Sequence, residues 1–330
     1  MRRRDFLIGA AATVSPRWAF AQSRSGAAAS PLIGILALNA KVGNDARIQD
    51  FVGGLAQFGY VDGKTATIVR RYAEFEIPRL PSLAAELAAL RPDVIMADTA
   101  SAIKAARDAA PTVPIIGASM SYPIEQGLIA SFAHPGGNTT GMASQLDGMS
   151  GKALELALEV VKDVKTAGFL MNTASTMGSL ERRDLEAAAK RSGIRLQVAE
   201  ARRPDEIDGA IAALATAGAS FVILQANTVF TGAPDRVARL AIAANLPTVT
   251  ISQTVNMVQA GIMLSYGVDI PEVYRRTASF VDRILKGAKA SELPIEFPTR
   301  LLFAVNLRTA KALGITVPQS ILLRADEVIE

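Results

Sequence analysis

Apolar runs of strand length alternate along this chain with segments whose apolar residues recur at helical spacing. Runs rich in valine and isoleucine that are separated by helical patterns are typical of parallel sheets built from β-α-β units. The pattern occurs twice, and each copy holds three apolar runs that end on a small polar residue. These runs are residues 32–39, 93–99 and 113–119 in the first copy and 166–172, 220–228 and 247–252 in the second. The sequence therefore predicts an α/β fold of two Rossmann-like lobes with parallel sheets, and chance similarity of two α/β halves is the alternative.

The helices are located by the spacing of apolar residues and by glycine or proline at their ends. They are predicted at residues 45–59, 77–90, 100–110, 123–133, 151–162, 179–192, 204–217, 234–244, 270–287 and 307–314. Three extended segments are predicted to cross between the lobes as a three-strand hinge, at residues 139–144, 261–269 and 297–306. The predicted lobes are residues 31–142 plus 261–290 and residues 143–260 plus 291–330.

The first 21 residues predict a cleavable export signal. Three arginines at positions 2–4 precede an apolar region at residues 6–12 and a small-x-small cleavage site, Ala19-Phe20-Ala21. The apolar region is too short to cross a bilayer, which needs roughly 20 apolar residues. Residues 3–7 resemble a twin-arginine signal, and an ordinary secretory signal is the alternative. The sequence thus predicts a periplasmic protein, with residues 22–30 as a flexible leader.

Cysteine is absent, so the fold has no disulfide and the mature chain has no cysteine that could carry a lipid anchor. We therefore expect no direct membrane anchor. Removal of residues 1–21 lowers the formal net charge from +4 to +1, and no basic patch is interleaved with aromatic residues. Nucleic acid is therefore not an expected partner.

Enzymatic chemistry finds little support in the residues. The single histidine, His134, lies in a Pro-Gly-Gly turn. No Gly-x-Gly-x-x-Gly motif follows a strand, and no Walker or Gly-x-Ser-x-Gly motif is present. No acidic cluster has the spacing of a calcium loop. We expect neither catalysis nor a cofactor or metal.

Several blocks of the chain, in order, resemble one family. They are Phe58-Gly-Tyr60-Val-Asp-Gly63, Arg79-Leu-Pro-Ser-Leu, Pro92-Asp-Val-Ile95, Pro135-Gly-Gly-Asn138-Thr-Thr-Gly141, Met263-Leu-Ser-Tyr-Gly267, Val281-Asp-Arg-Ile-Leu-Lys-Gly287 and Asn306-Leu-Arg-Thr-Ala-Lys-Ala-Leu-Gly314. The family is the ABC-transporter substrate-binding proteins related to the tryptophan/tyrosine-binding type, and the resemblance covers essentially the whole mature chain. It implies a type I periplasmic-binding fold.

The resemblance further implies a small ligand in the cleft and its delivery to the membrane permease of an ABC importer. We expect a monomer whose two lobes close on that ligand. An amino acid or an aromatic acid is the expected ligand. A sensory receptor of the same fold is one alternative function. A binder of a sugar or nucleoside is another, although only 5% of the residues are aromatic and such sites usually stack the ring between aromatics.

Polar residues follow the predicted strands of the first lobe. In open α/β sheets, ligands bind beyond the carboxyl ends of strands, where helix N-termini favour an anion. We expect Thr99 and Ser101 to hold an anionic group, with Ser119 and Ser121 at the next strand end and Asn39 at the end of the first run. Capping of helix N-termini is the alternative role for serine and threonine.

A ligand ammonium group would need a carboxylate. Asp269 is the first candidate and Asp98 the second, and capping of the following helix is the alternative role of Asp269. Other expected ligand contacts are neutral side chains: Asn172, Asn227, Thr228 and Gln253 in the second lobe, and Gln145 just beyond the first crossing. A turn residue at the strand end is the alternative role of Asn172. The aromatic residues expected to stack on a ligand ring are Tyr122, Phe230 and Tyr266, for which burial in the core is the alternative.

Overall fold

The computed structural model describes residues 30–38, 46–144, 148–173, 176–251 and 255–330. Its strands are β1 (Leu32–Ala37), β2 (Thr67–Tyr72), β3 (Val94–Ala97), β4 (Ile115–Met120), β5 (Thr139–Ala143), β6 (Thr166–Met171), β7 (Arg195–Glu200), β8 (Val222–Leu224), β9 (Thr248–Thr250), β10 (Leu264–Val268), β11 (Leu301–Asn306) and β12 (Glu327–Ile329). Its helices are α1 (Ala46–Gln57), α2 (Leu80–Ala89), α3 (Ala100–Ala109), α4 (Met149–Val160), α5 (Thr176–Arg191), α6 (Ile207–Thr216), α7 (Thr228–Thr231), α8 (Pro234–Ala243), α9 (Val255–Gln259), α10 (Ile270–Leu285), α11 (Leu307–Ala312) and α12 (Gln319–Leu322). In these ranges, no helix has both the length and the apolar character that a membrane span requires.

The first sheet is parallel and has the strand order β2-β1-β3-β4-β5. An apolar core covers each of its faces. One core includes Ile33, Phe51 and Phe280 beneath α1 and α10, and the other includes Leu36 and Ile103 beneath α2 and α3. Because both faces are buried, the central strands β1, β3 and β4 are mainly apolar runs in the sequence.

The second sheet has the strand order β12-β11-β10-β9-β8-β6-β7 and is parallel except where β10 pairs with β11. Its two faces carry cores centred on Phe169 and Phe221 on one side and on Leu170 and Phe230 on the other. Two mainly parallel sheets with alternating helices confirm the predicted fold class. Below, the first lobe means the first sheet with its helices, and the second lobe means the second sheet with its helices.

The chain crosses between the lobes at three places in its described part: from β5 to α4, from β10 to α10, and from α10 to β11. The predicted boundaries of the lobes differ here from the structure. β10 pairs in parallel with β9, with Leu264 opposite Val249, so it lies in the second sheet and not in the first lobe. The segment before β11 lies on the first lobe instead of the second, since Ile295 N–H donates to Phe132 O and Glu296 N–H to Gly141 O. Strand pairing and backbone hydrogen bonds, which no local pattern encodes, set these boundaries.

Glu296 fastens the third crossing to α10. Its Oε2 accepts a hydrogen bond from Arg276 at 2.9 Å, and its Oε1 accepts one from Arg283 at 2.8 Å. Both arginines belong to α10, and the backbone of Glu296 also pairs with Met142 of β5. Glu296 therefore joins α10 to both segments that leave the first lobe, β5 and the segment before β11.

Residues 123–133 form turns and not the predicted helix. The backbone of Tyr122 has φ of 45° and that of Gly127 has φ of 66°, and neither value is helical. Leu128 N–H donates to Pro123 O and closes the turn. Leu128 and Ile129 are nevertheless buried in the core, and together with Ile124 and Phe132 they have the spacing of a helix face in the sequence.

Strand β2 was not predicted, because it lies at the edge of the first sheet and carries charge. Arg70 pairs with Asp62 at 2.9 Å and Arg71 with Glu86 at 2.7 Å. Charged side chains on an edge strand oppose pairing with other chains, and they also interrupt the apolar pattern by which a strand is found.

Candidate ligand-binding site

Asp98 ends β3 and ties it to β1. The residue is only 5% exposed, and both carboxylate oxygens accept the backbone N–H of Leu38, at 3.0 Å (Oδ1) and 3.2 Å (Oδ2). The backbone N–H of Asp98 donates in turn to Leu36 O at 3.3 Å. These bonds align the carboxyl ends of two central strands. Asp98 therefore positions the end of β1, and its contact with a ligand ammonium group stays a prediction.

Thr99 is the N-cap of α3. Its backbone is extended, and its Oγ1 accepts the N–H of Ala102 at 3.2 Å. A hydroxyl that accepts one bond still has a proton to donate, so capping leaves Thr99 able to donate to a carboxylate. Ser101, in the first turn of α3, is partly exposed. Together these residues present hydroxyl donors beside the positive end of a helix.

Ser119 and Ser121 lie at the end of β4, and both are partly exposed. Ser121 Oγ lies 3.3 Å from Ser144 Oγ, so it contacts the first crossing. Gln126 Nε2 donates to Ser121 O at 2.6 Å and holds the turn against the strand end.

Tyr122 does not present its ring to an open cleft. The residue is 4% exposed, and its hydroxyl donates to Asp184 Oδ2 of α5 at 2.7 Å. That contact joins the first lobe to the second. With so little exposed surface, the ring has almost none to stack on a ligand in this conformation, which disfavours the predicted stacking role.

In the second lobe, polar side chains meet at the carboxyl ends of β6 and β8. Asn172 N–H donates to Gln225 Oε1 at 2.7 Å, and Asn172 Nδ2 lies 3.4 Å from Asn227 Oδ1. Asn227 Oδ1 also accepts the N–H of Val229 at 3.0 Å. The two predicted asparagines therefore lie together, and Thr228 follows them as the first residue of α7.

Gln225 is the residue of this cluster that sequence reasoning missed. It is fully buried, and its Nε2 has no hydrogen-bond acceptor in the described part of the chain. A buried donor left unpaired costs about 1–3 kcal/mol, so this amide is a group that a ligand or water oxygen would stabilise. The available signal was its position at the end of an otherwise apolar run, between residue 220 and Asn227.

The remaining aromatic candidates are held by the core. Phe230 is fully buried in the core of the second lobe, which favours the alternative role of core packing, and its stacking on a ligand stays a prediction. The ring is buried because α7 packs it against the face of the second sheet that carries α6 and α8. Tyr266 is partly buried and makes an edge contact with Phe303, with ring centroids 6.4 Å apart.

Asp269 caps α10, as the alternative role anticipated. Its Oδ1 accepts the N–H of Glu272 at 3.0 Å. The pKa of Arg300 is raised, chiefly by its hydrogen bond to Asp326 and to a smaller extent by the charges of Asp269 and Glu272. The Asp269 carboxylate thus already interacts with the Arg300 guanidinium, and a ligand ammonium group would interact with the same carboxylate.

Asn39, Gln145 and Gln253 lie outside the described residues, and so does the side chain of Thr228. The described candidates fall into two sets at the carboxyl ends of strands, one in each lobe. These sets offer mainly hydroxyl and amide groups, which suits hydrogen bonding of a small polar molecule. Among the described residues, no group of three or more histidine, cysteine, aspartate or glutamate side chains is arranged to hold a metal ion.

The sequence model of one family, described as ABC transporter substrate binding protein, matches residues 33–329. A curated relative, the tyrosine-binding protein of Clostridioides difficile, is 24% identical over 281 residues, which cover 85% of this chain and 80% of that protein.

Solved structures share the fold. A conserved domain protein from Vibrio cholerae superposes with a TM-score of 0.84 at 23% identity, covering 91% of this chain and 99% of the other. An ABC domain in complex with L-Trp from Streptococcus pneumonia gives 0.83 at 22% identity, covering 91% and 100%. The ligand-free, open structure of a substrate-binding protein with adhesive properties from Clostridium difficile gives 0.71 at 23% identity, covering 91% and 99%.

Proposed function

The chain belongs to the family of ABC transporter substrate-binding proteins, and we propose that it is the periplasmic solute-binding component of an ABC importer. The family binds substrates and does not consist of enzymes. The observation that carries the proposal is that each of the two lobes has polar side chains at the carboxyl ends of its strands. Three crossings connect these lobes in the described part of the chain. Such an arrangement surrounds a small molecule from two sides.

The proposed ligand is an amino acid, with an aromatic side chain as the first choice and an aromatic acid as the second. Two relatives support this class: one is named as a tyrosine-binding protein, and another was solved with L-Trp. The first lobe offers Thr99 and Ser101 at the N-terminus of α3 for a carboxylate. Asp269 is the proposed partner of the ammonium group. Asn172, Asn227 and Gln225 supply neutral contacts from the second lobe.

Capture works by closure of the lobes. A ligand that touches both lobes binds the closed arrangement more tightly than the open one, and it shifts the population by that difference in affinity. A membrane permease then recognises the closed protein and receives the ligand. The same closure would serve a sensory receptor, which stays the alternative function.

Export is part of the proposal. We propose that residues 1–21 are removed on secretion and that the mature protein acts as a monomer in the periplasm without a direct membrane anchor. Expression of the full chain in a Gram-negative host, followed by mass measurement of the periplasmic form, tests cleavage after Ala21. A periplasmic form that still carries residues 1–21 would contradict it.

The ligand class is tested by thermal unfolding of that periplasmic protein against amino acids, aromatic acids, sugars and nucleosides. A ligand at 100 times its dissociation constant stabilises the folded state by about 2.7 kcal/mol, which raises the Tm of a protein of this size by several degrees. We expect shifts with tyrosine, tryptophan or phenylalanine. A shift with sugars or nucleosides alone would replace the proposed ligand class.

A matched pair of variants tests the carboxylate site. Thr99→Ala removes the hydroxyl, whereas Thr99→Ser keeps both the cap and the donor. We expect Thr99→Ala to weaken ligand binding at least tenfold and Thr99→Ser to bind nearly as the parent does. Equal affinity in the alanine variant would remove Thr99 from the site.

A further inference from the structure

The Tyr122–Asp184 hydrogen bond joins residues that belong to different lobes. Tyr122 follows β4 in the first sheet, and Asp184 lies on α5, between β6 and β7 of the second sheet. The phenol proton is donated to Asp184 Oδ2 at 2.7 Å. A bond from a hydroxyl to an ionised carboxylate is charge-assisted and about twice as strong as a neutral one.

The bond is shielded from water. Tyr122 is 4% exposed and the Asp184 side chain is 19% exposed. The other oxygen of Asp184, Oδ1, lies 3.4 Å from Arg183 Nη2, and that arginine is 60% exposed. Electrostatic attraction is stronger where the local dielectric is low, so the tyrosine contact contributes more than the exposed ion pair.

The backbone of Tyr122 is strained in the conformation that makes this contact. Its φ is 45°, a left-handed value that bulky residues rarely adopt, and the next residue is Pro123, which disfavours such a conformation further. The surrounding turn holds Tyr122 in this conformation, because Gln126 N–H donates to Tyr122 O at 3.1 Å. Strain of this kind persists only where the surroundings impose it, and it concentrates at functional sites. The turn therefore presents the ring to α5 in one orientation.

We propose that the Tyr122–Asp184 bond is a latch that favours the closed arrangement of the lobes, so that Tyr122 sets ligand affinity without touching the ligand. This inference rests on the proposed function, in which closure accompanies binding. Opening the cleft moves the β4 turn away from α5 and breaks the bond. Apparent affinity scales with the population of the binding-competent state, so a weaker latch lowers affinity in proportion.

The chain contains a matched control. Tyr60 also donates its hydroxyl to an aspartate, Asp282, at 3.2 Å, but both residues belong to the first lobe. Tyr122→Phe and Tyr60→Phe each remove one hydroxyl and keep the ring. We expect Tyr122→Phe to raise the dissociation constant about tenfold and Tyr60→Phe to leave it unchanged. Asp184→Asn combined with Tyr122→Phe should raise the dissociation constant little more than Tyr122→Phe alone does, because both changes remove the same hydrogen bond.

A distance measurement tests the latch without any ligand. The chain has no cysteine, so Lys104→Cys on α3 and Arg203→Cys after β7 place two dyes selectively on exposed positions in the two lobes. Single-molecule energy transfer should show a short-distance population in the ligand-free protein, and Tyr122→Phe should lower its ratio to the open population about tenfold. Absence of that population, or the same population in both proteins, overturns the latch.

The two readouts separate the latch from the proposed function. If the parent protein binds no member of the panel, the proposed ligand class fails, and the dye distances alone decide the latch. If the parent binds and Tyr122→Phe loses no more affinity than Tyr60→Phe, the function stands and the latch is wrong.

Discussion

Asp98 accepts the backbone N–H of Leu38 with both oxygens of its carboxylate. The bond joins residues 60 positions apart and holds the ends of β1 and β3 in register. Asp98, which the sequence suggests as a partner for a ligand ammonium group, therefore also holds together the two strand ends beside the predicted cleft. Stability and affinity have to be measured separately to distinguish these two roles.

Asp98→Ala removes both acceptors of the Leu38 N–H, whereas Asp98→Asn keeps one carbonyl oxygen. We expect the alanine variant to lower the free energy of unfolding by about 1–3 kcal/mol and the asparagine variant by less, because a buried donor without an acceptor carries that penalty. Urea unfolding of the parent and both variants measures the order. Equal stability of all three proteins would mean that the hydrogen bond between Asp98 and Leu38 contributes nothing to the free energy of unfolding.

Asp269 offers a similar separation of roles. Asp269→Asn keeps the oxygen that caps α10 and removes the charge, whereas Asp269→Ala removes both. We expect the alanine variant to lose about 1 kcal/mol of stability and the asparagine variant to keep it. Both should bind an amino acid at least tenfold more weakly, since both lack the carboxylate for the ammonium group. Calorimetric titration gives the affinities, and parent-like affinity in Asp269→Asn would leave Asp269 with the capping role alone.

The fold class followed from the sequence because parallel strands buried on both faces are apolar runs in the chain. The helix caps could also be predicted from the sequence, since Thr99 and Asp269 stand directly before helical patterns, and they do cap α3 and α10. Strand β2 escaped detection because edge exposure lets arginines interrupt its pattern.

The site was less predictable because contacts distant in sequence determine it. Nothing local to Tyr122 indicates that its hydroxyl reaches Asp184, 62 residues away. Nothing local to Phe230 shows that its ring turns into the core and away from the cleft. Strand ends could be located from the chain, but the direction of each side chain depends on packing.

Acid should weaken the fold partly through Asp326. Burial alone would raise the pKa of this carboxyl, but the hydrogen bonds from Arg300 and from the Phe303 N–H outweigh burial and lower the pKa. A lowered pKa in the folded state gives stability that is present above the unfolded-state pKa of about 3.9 and is lost as pH falls through the folded-state value. We expect Asp326→Asn to be less stable than the parent at pH 7 and to differ less from it below pH 3.

Urea unfolding at the two pH values measures that difference. Asp108→Asn is the control, because Asp108 is 68% exposed and pairs only with exposed Lys104 in the part of the chain described here. Exposed pairs of this kind contribute little. A stability difference between Asp326→Asn and the parent that stays constant with pH would contradict the linkage.

Two neighbouring glycines of α1 should respond to alanine with opposite signs. A Cβ on Gly54 would lie 2.5 Å from Arg275 O and 3.0 Å from Ala278 Cβ, so α1 and α10 touch at this residue. A Cβ on Gly53 would meet nothing within 4 Å. Gly53→Ala should stabilise the protein by about 0.5–1 kcal/mol, because alanine is the better helix former. Gly54→Ala should destabilise it by about 1–3 kcal/mol, because the helices must separate.

The second substitution should also affect binding. α10 lies between the second and third crossings, and Glu296 fastens the third crossing to it, so a displaced α10 moves the crossing segments. We expect Gly54→Ala to weaken ligand binding and Gly53→Ala to leave it unchanged, as measured by calorimetric titration alongside urea unfolding. If both variants were stabilised equally, the backbones of α1 and α10 would not meet at Gly54, and the close packing that holds α10 on the first lobe would be wrong.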